Sequence, residues 1–86
     1  MFYCYILYSQ KLDKYYVGST SNLEGRLYRH NSSNRGFTST GKPWKMVYSE
    51  SYDEKKDAIQ REFQLKSWKS RRQLEKLIGN GSEHPD

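Results

Sequence analysis

The sequence predicts an α+β domain, and three observations carry that reading. Short segments rich in aromatic and β-branched residues open the chain and recur near its middle, as strands do. Polar caps followed by apolar residues at helical spacing mark three further segments. Eight Tyr, three Phe and two Trp supply ring area for a small core, because each aromatic buries a large surface.

The elements follow in order. Phe2 to Tyr8 (FYCYILY) reads as a strand, Ser9 to Lys14 as a polar turn, and Tyr15 to Gly18 as a second strand. Their hairpin-like separation predicts antiparallel pairing. Ser21 and Glu24 form an S-x-x-E capping box, so a helix should run from Asn22 to about Asn31, each side chain satisfying a free N–H of the first turn. Leu23 and Leu27 make its buried edge, and Arg26 and His30, one turn apart, share the adjoining stripe. Ser32 to Pro43 reads as a basic polar loop. Trp44 to Ser49 reads as a half-buried strand with Trp44, Met46 and Tyr48 on one face. Asp53 is placed to cap a second helix reaching about Trp68. Ser70 and Gln73 open a third through Leu74, Leu77 and Ile78, with Gly79 as its stop. The expected division is a domain over 1–79 and a frayed tail over 80–86, where His84 has no role.

At 86 residues the chain has room for one compact domain. The hydrophobic fraction is 34% and the mean hydropathy −1.11, so the core must be thin and ring-rich. Cys4 is the one cysteine, which excludes an intramolecular disulfide. The start has no basic region followed by an apolar stretch, and no apolar run approaches the roughly 20 residues that span a bilayer. The cytoplasm is the expected compartment, with no membrane partner. Fifteen Lys and Arg against ten Asp and Glu give a net charge of +5 and a pI near 9.4. That balance suits a polyanion, whose phosphates release counterions to basic side chains.

Glu62 is the most informative single residue. It falls inside the apolar stripe of Ala58, Ile59, Phe63 and Leu65, and a buried carboxylate must be paired, protonated or metal-bound. A salt bridge to Lys or Arg satisfies it as well as a metal does. Set beside Arg26 and His30, it would complete a mixed acid–base cluster of the kind that cuts phosphate esters. Tyr3, Tyr5, Tyr15 and Tyr16 lie on the two opening strands, where packing alone accounts for most tyrosines.

Tyr5 in the opening strand, then Tyr16-Val17-Gly18 closing the second, resembles the two-part signature of the GIY-YIG endonuclease superfamily. Arg26 follows Tyr16 at the family's spacing within Asn22-Leu23-Glu24-Gly25-Arg26-Leu27, with His30 a turn later. Gly41-Lys42-Pro43-Trp44 leads the third strand, and Ala58-Ile59-Gln60-Arg61-Glu62 is similar to the helix that carries the family's metal-binding glutamate. The likeness spans Phe2 to Ile78 and is strongest to short, stand-alone bacterial members.

The resemblance implies a small three-stranded antiparallel sheet flanked by helices, and hydrolysis of DNA phosphodiester bonds at one Mg²⁺ or Mn²⁺ ion. It implies Glu62 as metal ligand, Tyr16 as acceptor of the proton from the attacking water, and Tyr5 as its orienter. Arg26 would hold the scissile phosphate, and His30 would stand near the catalytic tyrosine. Unperturbed tyrosine titrates near about 10, so a base of this kind needs a neighbouring cation to favour its phenolate. Three departures stand out. Tyr3 lies where the first signature has glycine, Ser19 follows Gly18 where several members carry lysine, and Leu74 occupies the position of an asparagine found in larger members.

Lys66, Lys69, Arg71 and Arg72 cluster with Lys76 around the last two helices, with Trp68 among them. Arg35 and Lys42 make the loop a second candidate nucleic-acid contact. Trp68 serves equally as a hydrophobic anchor between helices. No segment resembles a base-reading helix, so sequence preference should be weak and targeting could come from a partner protein. The expected role is DNA repair or processing, with RNA as a further substrate class. Two alternatives fit the same composition: a non-catalytic nucleic-acid-binding module of the same fold, and a basic protein–protein adaptor.

Overall fold

A computed structural model describes residues 1–32 and 36–82. Strand β1 (Phe2–Ser9) lies at the centre of a three-stranded antiparallel sheet, between β2 (Lys14–Thr20) and β3 (Trp44–Tyr52). Helix α1 (Leu23–Ser32) and the short α2 (Phe37–Thr40) follow β2, and α3 (Lys55–Ser67) and α4 (Arg71–Ser82) follow β3.

The central position of β1 explains its unbroken apolar run. Cys4, Tyr5, Ile6 and Leu7 are all fully buried, and successive side chains point to opposite faces. Tyr5 and Leu7 join Trp44 in a core that Leu23 and Leu27 of α1 cover. Cys4 and Ile6 join Val17 and Leu65 in a second core, closed by Trp68, Leu74, Leu77 and Ile78 of the α3–α4 side. Burying one such aliphatic side chain contributes roughly 1.5–3 kcal/mol.

Several expectations need correction. The face assigned along β3 fails beyond Met46. Met46 pairs with Leu7 but Tyr48 pairs with Ile6, so Val47 is an extra residue in a bulge. Trp44 and Met46 therefore serve the α1 core, whereas Val47 and Tyr48 both serve the α3–α4 core. The cap of α1 is Asn22, whose Oδ1 accepts from the Gly25 N–H at 3.1 Å, in place of the Ser21–Glu24 box. Gly25 leaves room for it: a Cβ there would stand 2.5 Å from the Asn22 carboxamide nitrogen. Glu54, not Asp53, occupies the N-cap of α3, and it makes no side-chain cap bond. Helix α4 runs past Gly79 to Ser82, since a helical glycine costs about 1 kcal/mol but stops a helix only when it turns left-handed. Phe63 is 65% exposed. At about 100° per residue it lies about 140° from Ala58, outside the buried arc that holds Leu65. Arg35 and His84 lie outside the described residues.

Helix α3 is tied to both edges of the sheet. Ala58 and Leu65 lie along its buried line, with Arg61 and Glu62 to either side of it. Arg61 donates Nε and Nη2 to the two Glu50 oxygens on β3, at 3.0 and 3.1 Å. Tyr48 and Tyr52 also donate their hydroxyls to Glu50. Glu62 reaches the opposite edge, where it accepts from the Ser19 hydroxyl of β2.

Candidate active site

The site is built on the edge strand β2 and on β1 beside it. Tyr5 stands opposite Gly18 in the ladder. Its ring lies over that glycine: a Cβ at Gly18 would stand 2.5 Å from the phenol oxygen and 2.7 Å from Cζ. The hydroxyl reaches across to His30 Nε2 at 3.3 Å. Tyr16, one strand over on the same face, sets its ring edge-on to His30 with centroids 4.6 Å apart. Trp44 closes the group, its ring 6.2 Å from Tyr16 and 6.3 Å from His30.

Helix α1 delivers His30 because its last turn is fixed at both ends of one carboxamide. Asn31 accepts from the Trp44 N–H at 2.6 Å and donates to the Trp44 carbonyl at 3.0 Å. Its partner strand is held in turn by Ser9, whose hydroxyl donates to the Gly41 carbonyl at 2.7 Å. Gly41 is the residue this approach permits, since a Cβ there would meet Trp44 at 2.7 Å and Ser9 Oγ at 2.9 Å. Sequence reasoning named Gly41 only as part of the lead into the third strand and gave Asn31 and Ser9 no role. Asn31, one residue after His30, was the visible clue.

Arg26 lies between two clefts. The first, about 240 Å³, is walled by Tyr16, Arg29, His30 and Thr38 along with Arg26 itself. The second, about 190 Å³, includes Ser19, Thr20, Lys55 and Ala58, and its Ser19 is the residue that holds Glu62. The structure thus brings Tyr5, Tyr16 and His30 into one ring cluster with Arg26 at its rim. Glu62 comes to β2 from the other side of the sheet, through Ser19. Its side chain is 15% exposed, with Oε1 on Ser19 at 2.7 Å and Oε2 on Lys66 at 2.6 Å.

Electrostatics sort the protons. Burial pushes the Tyr5 phenol up to about 12, with the Arg26 guanidinium pulling back only part of the way. Tyr5 therefore stays protonated at neutral pH. Burial, then the charges of Arg26 and Arg29, pushes His30 below its ordinary value, so its imidazole is neutral.

The basic candidates separate. Lys66 pairs with Glu62 one turn earlier. Arg71 is half-exposed and bonded to Asp13 at 2.6 Å and to Glu75 at 3.0 Å, and its guanidinium lies 5.1 Å over the Tyr15 ring. It ties α4 to the β1–β2 turn. Trp68 packs into the core with Arg61 5.7 Å over its ring, as an anchor between helices. Lys69 and Arg72 are exposed. Lys42 is half-buried on a separate groove beside Trp44.

A carboxylate of this kind fits a hard divalent cation. Mg²⁺ takes one or two protein carboxylates and fills the rest of its shell with water and phosphate oxygen. Glu62 provides one such group, with a hydroxyl at its side. Among the described residues no three His, Cys, Asp or Glu side chains converge, so a cation here would share that single carboxylate with water and substrate. Among the described residues no helix is long and apolar enough to cross a membrane.

Comparison with known proteins extends these observations. Residues 1–76 match the family model of the GIY-YIG catalytic domain. A UPF0213 protein of Staphylococcus haemolyticus is 36% identical over 77 residues, covering 88% of this chain and 92% of the relative. A UPF0213 protein of Limosilactobacillus reuteri is 34% identical over 80 residues, covering 90% and 81%. The solution NMR structure of a UPF0213 protein from Bacillus halodurans superposes with a TM-score of 0.60 at 28% identity, covering 96% of this chain and 89% of that one.

Proposed function

The chain belongs to the GIY-YIG catalytic domain family, a nuclease superfamily, and on that premise we propose that it is a divalent-metal-dependent endonuclease. Its substrate is DNA, cut with weak sequence preference in repair or processing. The observation that carries the reading is the meeting of Tyr5, Tyr16 and His30 in one cluster with Arg26 at the rim.

Each side chain has a task suited to its surroundings. Arg26 faces open cleft on both sides, so its planar fork can clasp two oxygens of a scissile phosphate and balance the charge that develops there. Tyr16 lines the cleft and accepts the proton of the attacking water. Tyr5 is fully buried and protonated, so it acts as a positioning residue that fixes the His30 ring. His30 stays neutral and holds the edge of Tyr16 in place. Glu62 would hold the metal, with Ser19 orienting its carboxylate. A bound divalent ion supplies Lewis-acid polarisation of the phosphate.

The test uses labelled single-stranded, duplex and branched DNA and one RNA, each in EDTA, Mg²⁺ and Mn²⁺. Metal-dependent cutting by the wild type should fall by about 10² or more in Tyr16→Phe and in Glu62→Ala, the loss typical of removing one transition-state contact. Cutting retained by Glu62→Ala overturns the metal-ligand role. A second reading, the non-catalytic binding module, is favoured by one observation: Ser19 and Lys66 already engage both Glu62 oxygens. Under it, binding weakens with salt and no metal yields product.

A further inference from the structure

Beside Trp44, a groove of about 790 Å³ opens between the β1–β2 turn, α1 and the start of β3. Its floor is apolar: Leu27, Met46 and the edge of Trp44. Lys11, Lys42 and Lys45 stand around it, and its lining contains no carboxylate. Lys11 and Lys45 are exposed. The groove is large for so small a domain and falls within the size range of ligand sites.

We propose that this groove holds an unpaired nucleotide of a nucleic-acid strand whose scissile phosphate lies at Arg26. This deepens the nuclease reading and rests on its nucleic-acid part. Two features select the occupant. A cationic rim without acidic side chains complements a phosphate backbone, and an apolar floor complements the face of a base. A duplex offers the phosphates but keeps its base faces stacked inside. The groove therefore favours strands with unpaired bases beside the cut.

Position supports the same occupant. Trp44 is 3% exposed, lines the groove and packs beside the ring cluster. Its ring lies 6.2 Å from Tyr16 and 6.3 Å from His30, so the groove and the cluster have this residue in common. Arg26 of the cleft and Leu27 of the groove are consecutive residues of α1, so a strand at one is close to the other. An acidic peptide could satisfy the lysines, but nothing in its chemistry calls for the apolar floor.

The experiment measures binding in EDTA, so it does not depend on cutting. Fluorescent single strands, matched duplexes and a single strand with abasic sites are titrated against the wild type at several salt concentrations. The variants are Lys11→Glu/Lys45→Glu and, as a control away from the groove, Lys56→Glu on α3, whose side chain is 78% exposed. The abasic strand should bind at least about fivefold more weakly than the intact one, as loss of base stacking does. The groove variant should lose about 1.4 from its single-strand salt slope, two phosphates at about 0.7 each, and lose its preference for single strands over duplex. The α3 variant should keep that preference. Equal binding of the abasic strand overturns the proposal. So does an unchanged preference in the groove variant, or displacement by poly-glutamate with DNA binding intact. If the groove variants behave as stated while the wild type never cuts in Mn²⁺, the subsite stands and the nuclease reading falls. If the wild type cuts and the groove variants bind single strands normally, the subsite alone falls.

Discussion

Replacing Arg61 by alanine tests the tie that carries α3, and with it Glu62, onto the sheet. The two side chains of the Arg61–Glu50 pair are 21% and 19% exposed. Breaking a fully buried pair costs about 3–5 kcal/mol, because one charge is left uncompensated, whereas exposed pairs are worth about 0–1. This pair lies nearer the buried limit, but Glu50 keeps two tyrosine donors when the arginine goes. The expected loss is therefore about 2–3 kcal/mol, including the contact over Trp68, or a fall in Tm of about 10–20 °C for a domain this size. The pH dependence adds a second signature. Burial pushes the Glu50 carboxyl up, and bonds from Arg61, Tyr48 and Tyr52 more than offset it, so its folded value lies below the ordinary one. Stability from Glu50 is thus present above the ordinary carboxylate value and lost as pH falls through the lower folded value. Without Arg61, its bond and its charge no longer hold the carboxyl down, and the acid limb of stability should move to higher pH. Urea titrations from pH 3 to 7 read both effects. Adding Glu50→Gln to the alanine variant should recover part of the loss, because it removes the stranded charge. A loss under about 1 kcal/mol at pH 7, with the acid limb unmoved, would show that the pair behaves as a surface pair and refute this reasoning.

Three further outcomes follow from the same geometry. Gly18→Ala should destabilise by about 1–3 kcal/mol, since its Cβ meets the Tyr5 ring at 2.5–2.7 Å, and Tyr5→Leu in the same chain should recover part of that in a denaturation midpoint. His30 is held below its ordinary value by burial and by Arg26 and Arg29, so its contribution is present above about 6.5 and lost as pH falls through its lower folded value. In His30→Gln, stability should accordingly flatten with pH below about 6.5, which thermal melts across that range would detect. Arg71→Ala should loosen the β1–β2 turn without lowering the salt slope of DNA binding by more than a fraction of one contact, because Asp13 and Glu75 already hold its guanidinium.

The fold was legible where one physical signal ruled a segment. β1 is a dense aromatic and aliphatic run because it is buried on both faces, and α1 carries a clean apolar line at Leu23–Leu27, whereas the α3 stripe held for Ala58 and Leu65 but not for the exposed Phe63. Tyr5, Tyr16 and His30 were singled out together by the family resemblance, whereas strand pattern alone left the tyrosines as packing residues. What the sequence hid has specific causes. Period-2 alternation cannot reveal a bulge, so Val47 and Tyr48 share a side that alternation divides. Capping chemistry suits Ser21 as well as Asn22, and only the close approach over Gly25 decides between them. Charge patterning counts lysines and arginines without their partners. Lys66 and Arg71 looked like nucleic-acid contacts, while the carboxylates that engage them stand one turn away or, for Asp13, across the fold.

The bulge in β3 has one more consequence, concerning changes in chain length. Residues on either side of Val47 keep the faces they would have if it were missing: Met46 faces one core and Tyr48 the other, against adjacent partners Leu7 and Ile6. Deleting Val47 would thus turn an irregular ladder into a regular one without moving any other side chain to the wrong face. Deleting Val47 should cost little more than the lost contacts of one half-buried valine, roughly 1.5–3 kcal/mol. Deleting Ser49 or Lys45 instead closes the bulge at the cost of turning Tyr48, or Met46 and Val47, to the wrong face, and those chains should lose more stability than the Val47 deletion. Val47 is a spare link in the strand, the one point along β3 at which the chain can be shortened and still be read in phase.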